Sequence, residues 1–390
     1  MRLRNAILFS ALVLHLPAWS QQIKIGTYTY SDGSEYQGEL VKGKPNGMGT
    51  TTFPNGDTHT GQYVKGKRQG MGVYLFSDGE KYEGEWFQGQ QHGNGTYYFT
   101  NNNRYEGLWF KDYQHGEGTM FYYNGDRYVG SWVEDKREGE GHYTYANGAY
   151  YKGQWKADEK SGVGVFDWHD GNIYEGEWKN NKRHGKGKYK YANGESYSGE
   201  WAEDQQHGKG IYKFQDGNTY EGHYVKGERT GEGIFTFANG DKYVGNYLQG
   251  EQHGHGVFTW HTGAMYDGEW SHNKPHGKGK YKWANGDTYD GMWSEGVMHG
   301  EGIFRQSDGA KFKGTYNKGK KEGHGIMEDA EGLRSEGNFH DDFKHGVFIE
   351  RDKNGQIVRE VNYVNGIEKP MKDKNQQNDA DQHRPNGGGV

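Results

Sequence analysis

The sequence predicts an all-β protein: an elongated, single antiparallel sheet of about thirteen tandem 23-residue β-hairpin repeats. Three observations predict it. Gly supplies 67 of 390 residues and the aromatics are 31 Tyr, 17 Phe and 12 Trp, against only 6 Pro and no Cys. Those glycines and rings recur in fixed columns every 23 residues without an insertion. Between the columns, apolar and polar residues alternate with period two, which is the signature of a strand with one apolar face. The composition also excludes alternatives. One Gly in six would cost a helical bundle about 1 kcal/mol at each such position. A net charge of −6 and abundant rings argue against disorder. Low Pro and the lack of a Gly every third residue exclude collagen.

Taken in chain order, residues 1–20 read as a secretory signal peptide. Arg2 and Arg4 stand without an acid, residues 6–16 are apolar except Ser10 and His15, and Pro17-Ala18-Trp19-Ser20 offers a helix break with small residues before a cut after Ser20. The run is too short to span a bilayer of about 30 Å, and no second apolar stretch follows. Export into the periplasm or the medium is therefore expected, with no transmembrane helix in the mature chain. Loss of Arg2 and Arg4 leaves 45 bases against 53 acids, a net charge of −8. An oxidising compartment would permit disulfides, but there is no Cys to form them.

Residues 21–35 read as a partial repeat, since Ile25-Gly26-Thr27-Tyr28 matches the second half of a unit. From Tyr36, taken as position one, thirteen units run to residue 334. Positions 3, 12 and 14 are Gly in all thirteen, and position 21 is Gly in twelve, Asn102 being the exception. Position 1 is Tyr in eleven units and position 5 is Trp in eight, while positions 16 and 18 are aromatic in ten and eleven. Tyr174-Glu175-Gly176-Glu177-Trp178 and Gly185-Lys186-Gly187-Lys188-Tyr189-Lys190-Tyr191 both alternate as strands, joined through Ala192-Asn193-Gly194 to the next unit. A three-residue loop ending in Gly puts positions 1, 3, 5, 14, 16 and 18 on one face, where glycines give the rings room to lie flat. Twenty-six such strands at about 4.8 Å would make a ribbon on the order of 120 Å long before twist. Residues 335–367 keep the pattern in degenerate form, and residues 368–390 read as a disordered tail.

The written motif, Tyr-Glu-Gly-Glu-Trp, a charged turn, His-Gly-Lys-Gly, then aromatics and Asn-Gly, strongly resembles the MORN (membrane occupation and recognition nexus) repeat, and residues 174–196 are close to an ideal copy. The resemblance implies an elongated sheet with an aromatic groove, used for scaffolding and binding, often through self-association. Contact with acidic phospholipid is also implied. Leu40 and His59 early, and Gln306 and Asp329 late, depart from the pattern and read as caps at the array ends.

Position 11 holds His92, His115, His184, His207, His253, His276 and His299. Neighbouring copies would stand about 9.6 Å apart, whereas zinc needs nitrogens at about 2.0–2.1 Å, so these read as turn residues before the invariant Gly and not as ligands. Gly185-Lys186-Gly187 lacks the following helix that a phosphate loop needs. Carboxylates such as Glu175 and Glu177 alternate with the rings and so face solvent, with no pocket to raise one pKa. No cofactor, no metal, no catalytic residue and no enzymatic activity are expected, and the acidic mature chain gives no electrostatic drive toward nucleic acid.

What remains is the aromatic face, which is far larger than a monomer normally exposes. The candidate binding residues are the paired rings Tyr82 and Trp86, Tyr105 and Trp109, Tyr128 and Trp132, Tyr151 and Trp155, Tyr174 and Trp178, Tyr197 and Trp201, Tyr266 and Trp270, and Tyr289 and Trp293. The favoured function is an exported, non-enzymatic scaffold that binds protein partners, or a second copy of itself, through an aromatic-lined trough. The alternative is a peripheral membrane or cell-envelope module recognising lipid headgroups or glycans.

Overall fold

Each repeat is made by two turns of different chemistry. In the repeat starting at Tyr174, Asn180 (φ 50°) and Asn181 (φ 66°) close a two-residue turn. Positive φ at both residues is the type I′ geometry that matches strand twist. The second turn is the expected three-residue loop. The Gly194 amide donates to the Tyr191 carbonyl at 3.0 Å, the Tyr191 amide donates to the Glu195 carbonyl at 3.0 Å, and Gly194 sits at φ 91°. Only Gly takes that conformation without a Cβ penalty.

A computed structural model describes residues 22–370. They fall into two units, one ending at His169 and one beginning at Asp170. The first holds strands β1 (Lys24–Thr29) to β13 (Glu159–Asp167), and the second β14 (Ile173–Lys179) to β31 (Ile367–Lys369). Within each unit consecutive strands pair antiparallel into an open sheet, with no helix among the described residues. Five strands beyond the expected twenty-six come from the partial first repeat and from the C-terminal stretch.

Register places the columns as the loop length requires. Between β15 (Lys182–Lys190) and β16 (Ser196–Ala202), Tyr189 faces Tyr197, Gly187 faces Gly199 and Gly185 faces Trp201. Between β14 and β15 the register slips: Gly176 faces Gly187, but Glu177 faces His184. Gly185 and Lys186 are thus the extra residues of a bulge, which re-aims the strand.

Two expectations are corrected here. The position-11 histidines are not turn residues. The two-residue turn closes three positions earlier, so His184 and its equivalents lie inside strands such as β15. The tail does not begin at residue 368, because Glu368 and Lys369 pair in β31 with β30 (Ile357–Val364). The signal peptide of residues 1–20 and residues 371–390 of the tail lie outside the described residues.

The core is the aromatic column itself. A ring at position 1 lies across the glycines at positions 3 and 14. A Cβ on Gly187 would stand 2.3 Å from the Tyr174 hydroxyl oxygen, and one on Gly176 2.6 Å from it. That hydroxyl donates to the Glu177 carbonyl at 2.9 Å, beside the bulge. Rings then alternate edge to face along the first unit, with centroids at 5.3 Å for Tyr82–Trp86, 5.2 Å for Tyr82–Trp109 and 5.4 Å for Tyr105–Trp109. Each such pair adds about 0.5–1.5 kcal/mol beyond the area buried. In the degenerate C-terminal repeat Ser335 replaces the ring, and Phe348 from the opposite strand fills its place over Gly337. Glu350, 3% exposed, is held there by the Ser335 hydroxyl at 2.9 Å and by Arg359 and Lys344.

Candidate binding trough

The sixteen rings proposed from sequence are where the pattern placed them, on one face, but they are not its surface. All eight tyrosines are fully buried, and the eight tryptophans are 3–8% exposed. Their phenols are satisfied internally: the hydroxyls of Tyr82, Tyr105, Tyr128, Tyr151, Tyr197, Tyr266 and Tyr289 donate to the carbonyl three residues on at 2.9–3.1 Å. Burial pushes the phenols of Tyr82, Tyr105 and Tyr128 above their ordinary range, so they remain protonated donors. The tyrosines are structural, and the tryptophans form a floor.

The accessible surface belongs to neighbouring columns. In the first unit a trough of about 750 Å³ runs over β5 (Lys67–Leu75) to β13. Trp86, Trp109 and Trp132 make its floor, and one wall is built from positions 16 and 18: Tyr74 and Phe76, Tyr97 and Phe99, Met120 and Tyr122. These wall rings pack along the strand and across repeats, at 4.6 Å for Tyr97–Phe99 and 5.6 Å for Phe76–Tyr97. The repeat's position-22 acid fixes them. The Tyr74 hydroxyl donates to Asp57 at 2.7 Å, the Tyr143 hydroxyl donates to Asp126 at 2.7 Å, and Tyr97 donates to Glu80.

The opposite wall is polar and comes from positions 10 and 8. Arg68, Gln91 and Gln114 stand at position 10, and Asp112, Asp135 and Asp158 at position 8 of the following repeats. The Asp carboxylate reaches back to the preceding repeat, accepting the amides of Gln91 at 2.8 Å, Gln114 at 2.8 Å and Arg137 at 3.1 Å. Where position 10 is Arg, the guanidinium lies on the next position-5 ring: 4.1 Å from Arg68 to Trp86, 4.2 Å from Arg137 to Trp155 and 5.2 Å from Arg229 to Tyr247. The sequence reading missed this wall, because it followed apolar periodicity and positions 8 and 10 are charged. The signal was present as Arg, Lys or Gln at position 10 in ten of the thirteen units, two residues after Asp, Asn or Gly at position 8.

Gln91 and Gln114 are themselves buried, so the trough offers ring faces of Phe76, Phe99 and Tyr122 and the exposed carboxylates of Asp112 and Asp135 to a ligand. A second depression of about 720 Å³ lies in the second unit, on the face opposite to that unit's rings, and Ile211, Ile234, Val244 and Val257 line it among charged neighbours. The position-11 histidines also face away from the rings. His92 lies between Phe87 and Phe110, with centroids at 5.5 and 5.3 Å.

No curated protein matches the chain. Among solved structures it is similar to the TCP domain of Drosophila melanogaster SAS-4, described in complex with a proline-rich motif of Ana2, at 14% identity over 63% of this chain and 99% of that one, with a TM-score of 0.23. The TCP10 domain of Danio rerio CPAP is similar at 10% identity over 75% and 99%, with a TM-score of 0.17. Virginiamycin B lyase from Staphylococcus aureus is similar at 11% identity over 85% and 92%, with a TM-score of 0.12. Likeness at these TM-scores carries no argument about this chain. The MORN repeat model, in contrast, matches residues 25–35, thirteen successive 23-residue segments from 36 to 334, and residues 336–347. Repeat length, turn chemistry and ring packing agree with that match: the chain belongs to the MORN repeat family.

Proposed function

We propose that this chain is an exported, non-enzymatic scaffold whose partner, a protein segment or a second copy of the chain, lies along the aromatic trough. The observation that carries the reading is the half-buried wall of Phe76, Phe99 and Tyr122, which faces a volume of about 750 Å³ that no second layer of the first unit fills. A folded protein normally covers a surface of this kind, so rings kept at a trough favour an occupant. The leader-like pattern of residues 1–20 supports export.

The test is a displayed peptide library panned on the purified chain, with selected peptides measured by fluorescence anisotropy. Binding is expected to fall at least tenfold in Phe76→Ala/Phe99→Ala/Tyr122→Ala, whose unfolding transition should shift little because these side chains are only half buried. Equal binding by the triple variant would refute the reading.

A further inference from the structure

An open sheet has two edges, and those of this chain are built differently. At the C-terminal edge β31 has three residues, Ile367-Glu368-Lys369, and Pro370 follows with no amide to offer. A short, charged edge ended by proline resists further pairing. At the N-terminal edge β1 is the second strand of a hairpin without its first. It pairs with β2 (Glu35–Val41) on one side and with no strand on the other among the described residues. The Tyr30 amide donates to the Ser34 carbonyl at 2.9 Å. Alternation then turns the backbone groups of Lys24, Gly26 and Tyr28 toward β2, and those of Ile23, Ile25, Thr27 and Thr29 toward the open edge. β1 holds no proline and no acid, and Ile23 and Ile25 are 61% and 76% exposed.

The open edge sets a condition on its occupant. In complete hairpins this edge of the second strand faces a glycine: Gly38 stands opposite Gly49, and Gly176 opposite Gly187. The approach is close, since a Cβ on Gly38 would stand 2.4 Å from the Gly49 Cα and one on Gly176 2.4 Å from the Gly187 Cα. Gly26 is the matching glycine of β1, so a strand laid on the open edge in the same way brings glycine to that point. The space over it is also free of the usual ring. Gly49 is covered by Tyr36 at 2.3 Å, whereas a Cβ on Gly26 would meet only the end of the Leu40 side chain, at 3.0 Å. β30 and β31 contain no glycine, and β1 does.

Resting on the export reading above, by which the chain begins at Gln21, we infer that the occupant is β1 of a second copy, paired antiparallel with Gly26 facing Gly26 across a twofold axis. One register does this. Ile25 then faces Thr27 of the second copy and Ile23 faces its Thr29, so the amides and carbonyls that these four residues turn to the edge are all taken. On the ring face Lys24 stands beside Tyr28 of the second copy, a cation next to a ring. On the other face the exposed Ile23 and Ile25 gain Thr29 and Thr27 as cross-strand neighbours. The contact uses the same surface on both chains, and with β31 blunted at the other edge the assembly stops at two.

The test follows the exported chain by sedimentation velocity over a concentration series, where it should form a dimer. Thr27→Pro removes one edge-facing amide and leaves the bonds from β1 to β2 in place. It should weaken dimerisation at least tenfold with little change in the unfolding transition, while Thr27→Val, which keeps the amide, should not. Gly26→Cys reads the register. The chain has no other cysteine, and facing Cα atoms at a non-hydrogen-bonded pair stand about 4.5 Å apart, within disulfide reach. Air oxidation should give a covalent dimer of Gly26→Cys, and far less of Ile23→Cys or Thr29→Cys, which do not face themselves. A chain that stays monomeric, or a dimer that Thr27→Pro leaves intact, overturns the proposal. If that dimer dissolves instead in Phe99→Ala/Tyr122→Ala, the copies meet at the trough, so the trough reading stands and the β1 pairing falls. If the β1 dimer forms and no displayed peptide binds, the trough reading falls alone. Mass spectrometry that finds residues 1–20 still attached to the exported chain removes the premise and overturns the β1 pairing as well.

Discussion

Replacing Gly187 by Ala isolates the physical reason for the glycine columns. Gly187 does not have a positive φ, so the backbone accepts Ala without strain. The added Cβ would stand 2.3 Å from the Tyr174 hydroxyl oxygen and 2.5 Å from ring carbons, against a comfortable separation of about 3.5–4.0 Å. The fully buried ring must therefore move by about 1 Å, and its hydrogen bond to the Glu177 carbonyl (2.9 Å) goes with it. Overpacking costs about 1–3 kcal/mol and the lost hydrogen bond about 1 kcal/mol, offset by about 0.4–1 kcal/mol from a stiffer unfolded chain. The net expectation is about 1–3.5 kcal/mol. Gly194→Ala provides the contrast: no atom lies within 4 Å of its Cβ, and its φ of 91° gives a purely backbone penalty of about 1–2 kcal/mol. Because the Gly187 cost is a collision with one ring, it should vanish in a Tyr174→Ala background, giving a coupling of at least about 1.5 kcal/mol. The Gly194 cost should not change. The assay is urea unfolding with hydrogen exchange resolved over β14 to β16, since tandem arrays need not unfold in two states. A Gly187→Ala cost equal with and without Tyr174 would refute the reasoning.

Two more outcomes follow from the same contacts. Asp204→Ala should cost about 1–2 kcal/mol and speed amide exchange at Arg183, because the carboxylate accepts that amide at 2.9 Å as well as the guanidinium; Asp204→Asn should recover most of the loss, and identical exchange in both variants would contradict the role. His59, fully buried at a position-1 site, has its imidazole pushed down to about 3 from the usual 6.5, by burial first and then by Arg68. The folded state thus keeps it neutral while the unfolded chain takes a proton below about pH 6.5. Stability from this residue is complete above that pH and falls as pH drops toward 3, by up to about 1.4 kcal/mol per unit. Denaturation between pH 6.5 and 5 should show His59→Tyr losing less than the parent, and parallel pH profiles would exclude the effect.

Much of the fold was legible in the sequence, because each invariant column answers one local constraint. Gly194 was read as the loop residue needing positive φ, and the choice of a three-residue loop placed Tyr189 opposite Tyr197 correctly. The bulge at Gly185 was not legible. Two extra residues leave the period-two alternation unbroken, so only the pairing of Glu177 with His184 reveals the slip, and the position-11 histidines were misplaced because the two-residue turn at Asn180 and Asn181 was not recognised. The site was read at half depth. Tyr82, Trp86 and their copies were found through their regularity, yet regular rings are the ones most completely used by the fold. The surface left to a ligand varies from repeat to repeat, as Arg68, Gln91, Gln114 and Arg137 do, and variation at one position has no meaning until its neighbours are known.

The account's central claim is that the trough over Trp109 and Trp132 is where a partner lies. The most direct measurement is ¹⁹F NMR of the chain carrying 5-fluorotryptophan, each resonance assigned by single Trp→Phe variants, titrated with a peptide selected from the displayed library. The resonances of Trp109 and Trp132 should shift saturably. That of Trp201, which lies in the second unit and does not line this trough, should hold still. Uniform shifts along the repeats, or shifts that leave Trp109 and Trp132 unmoved, would contradict the claim.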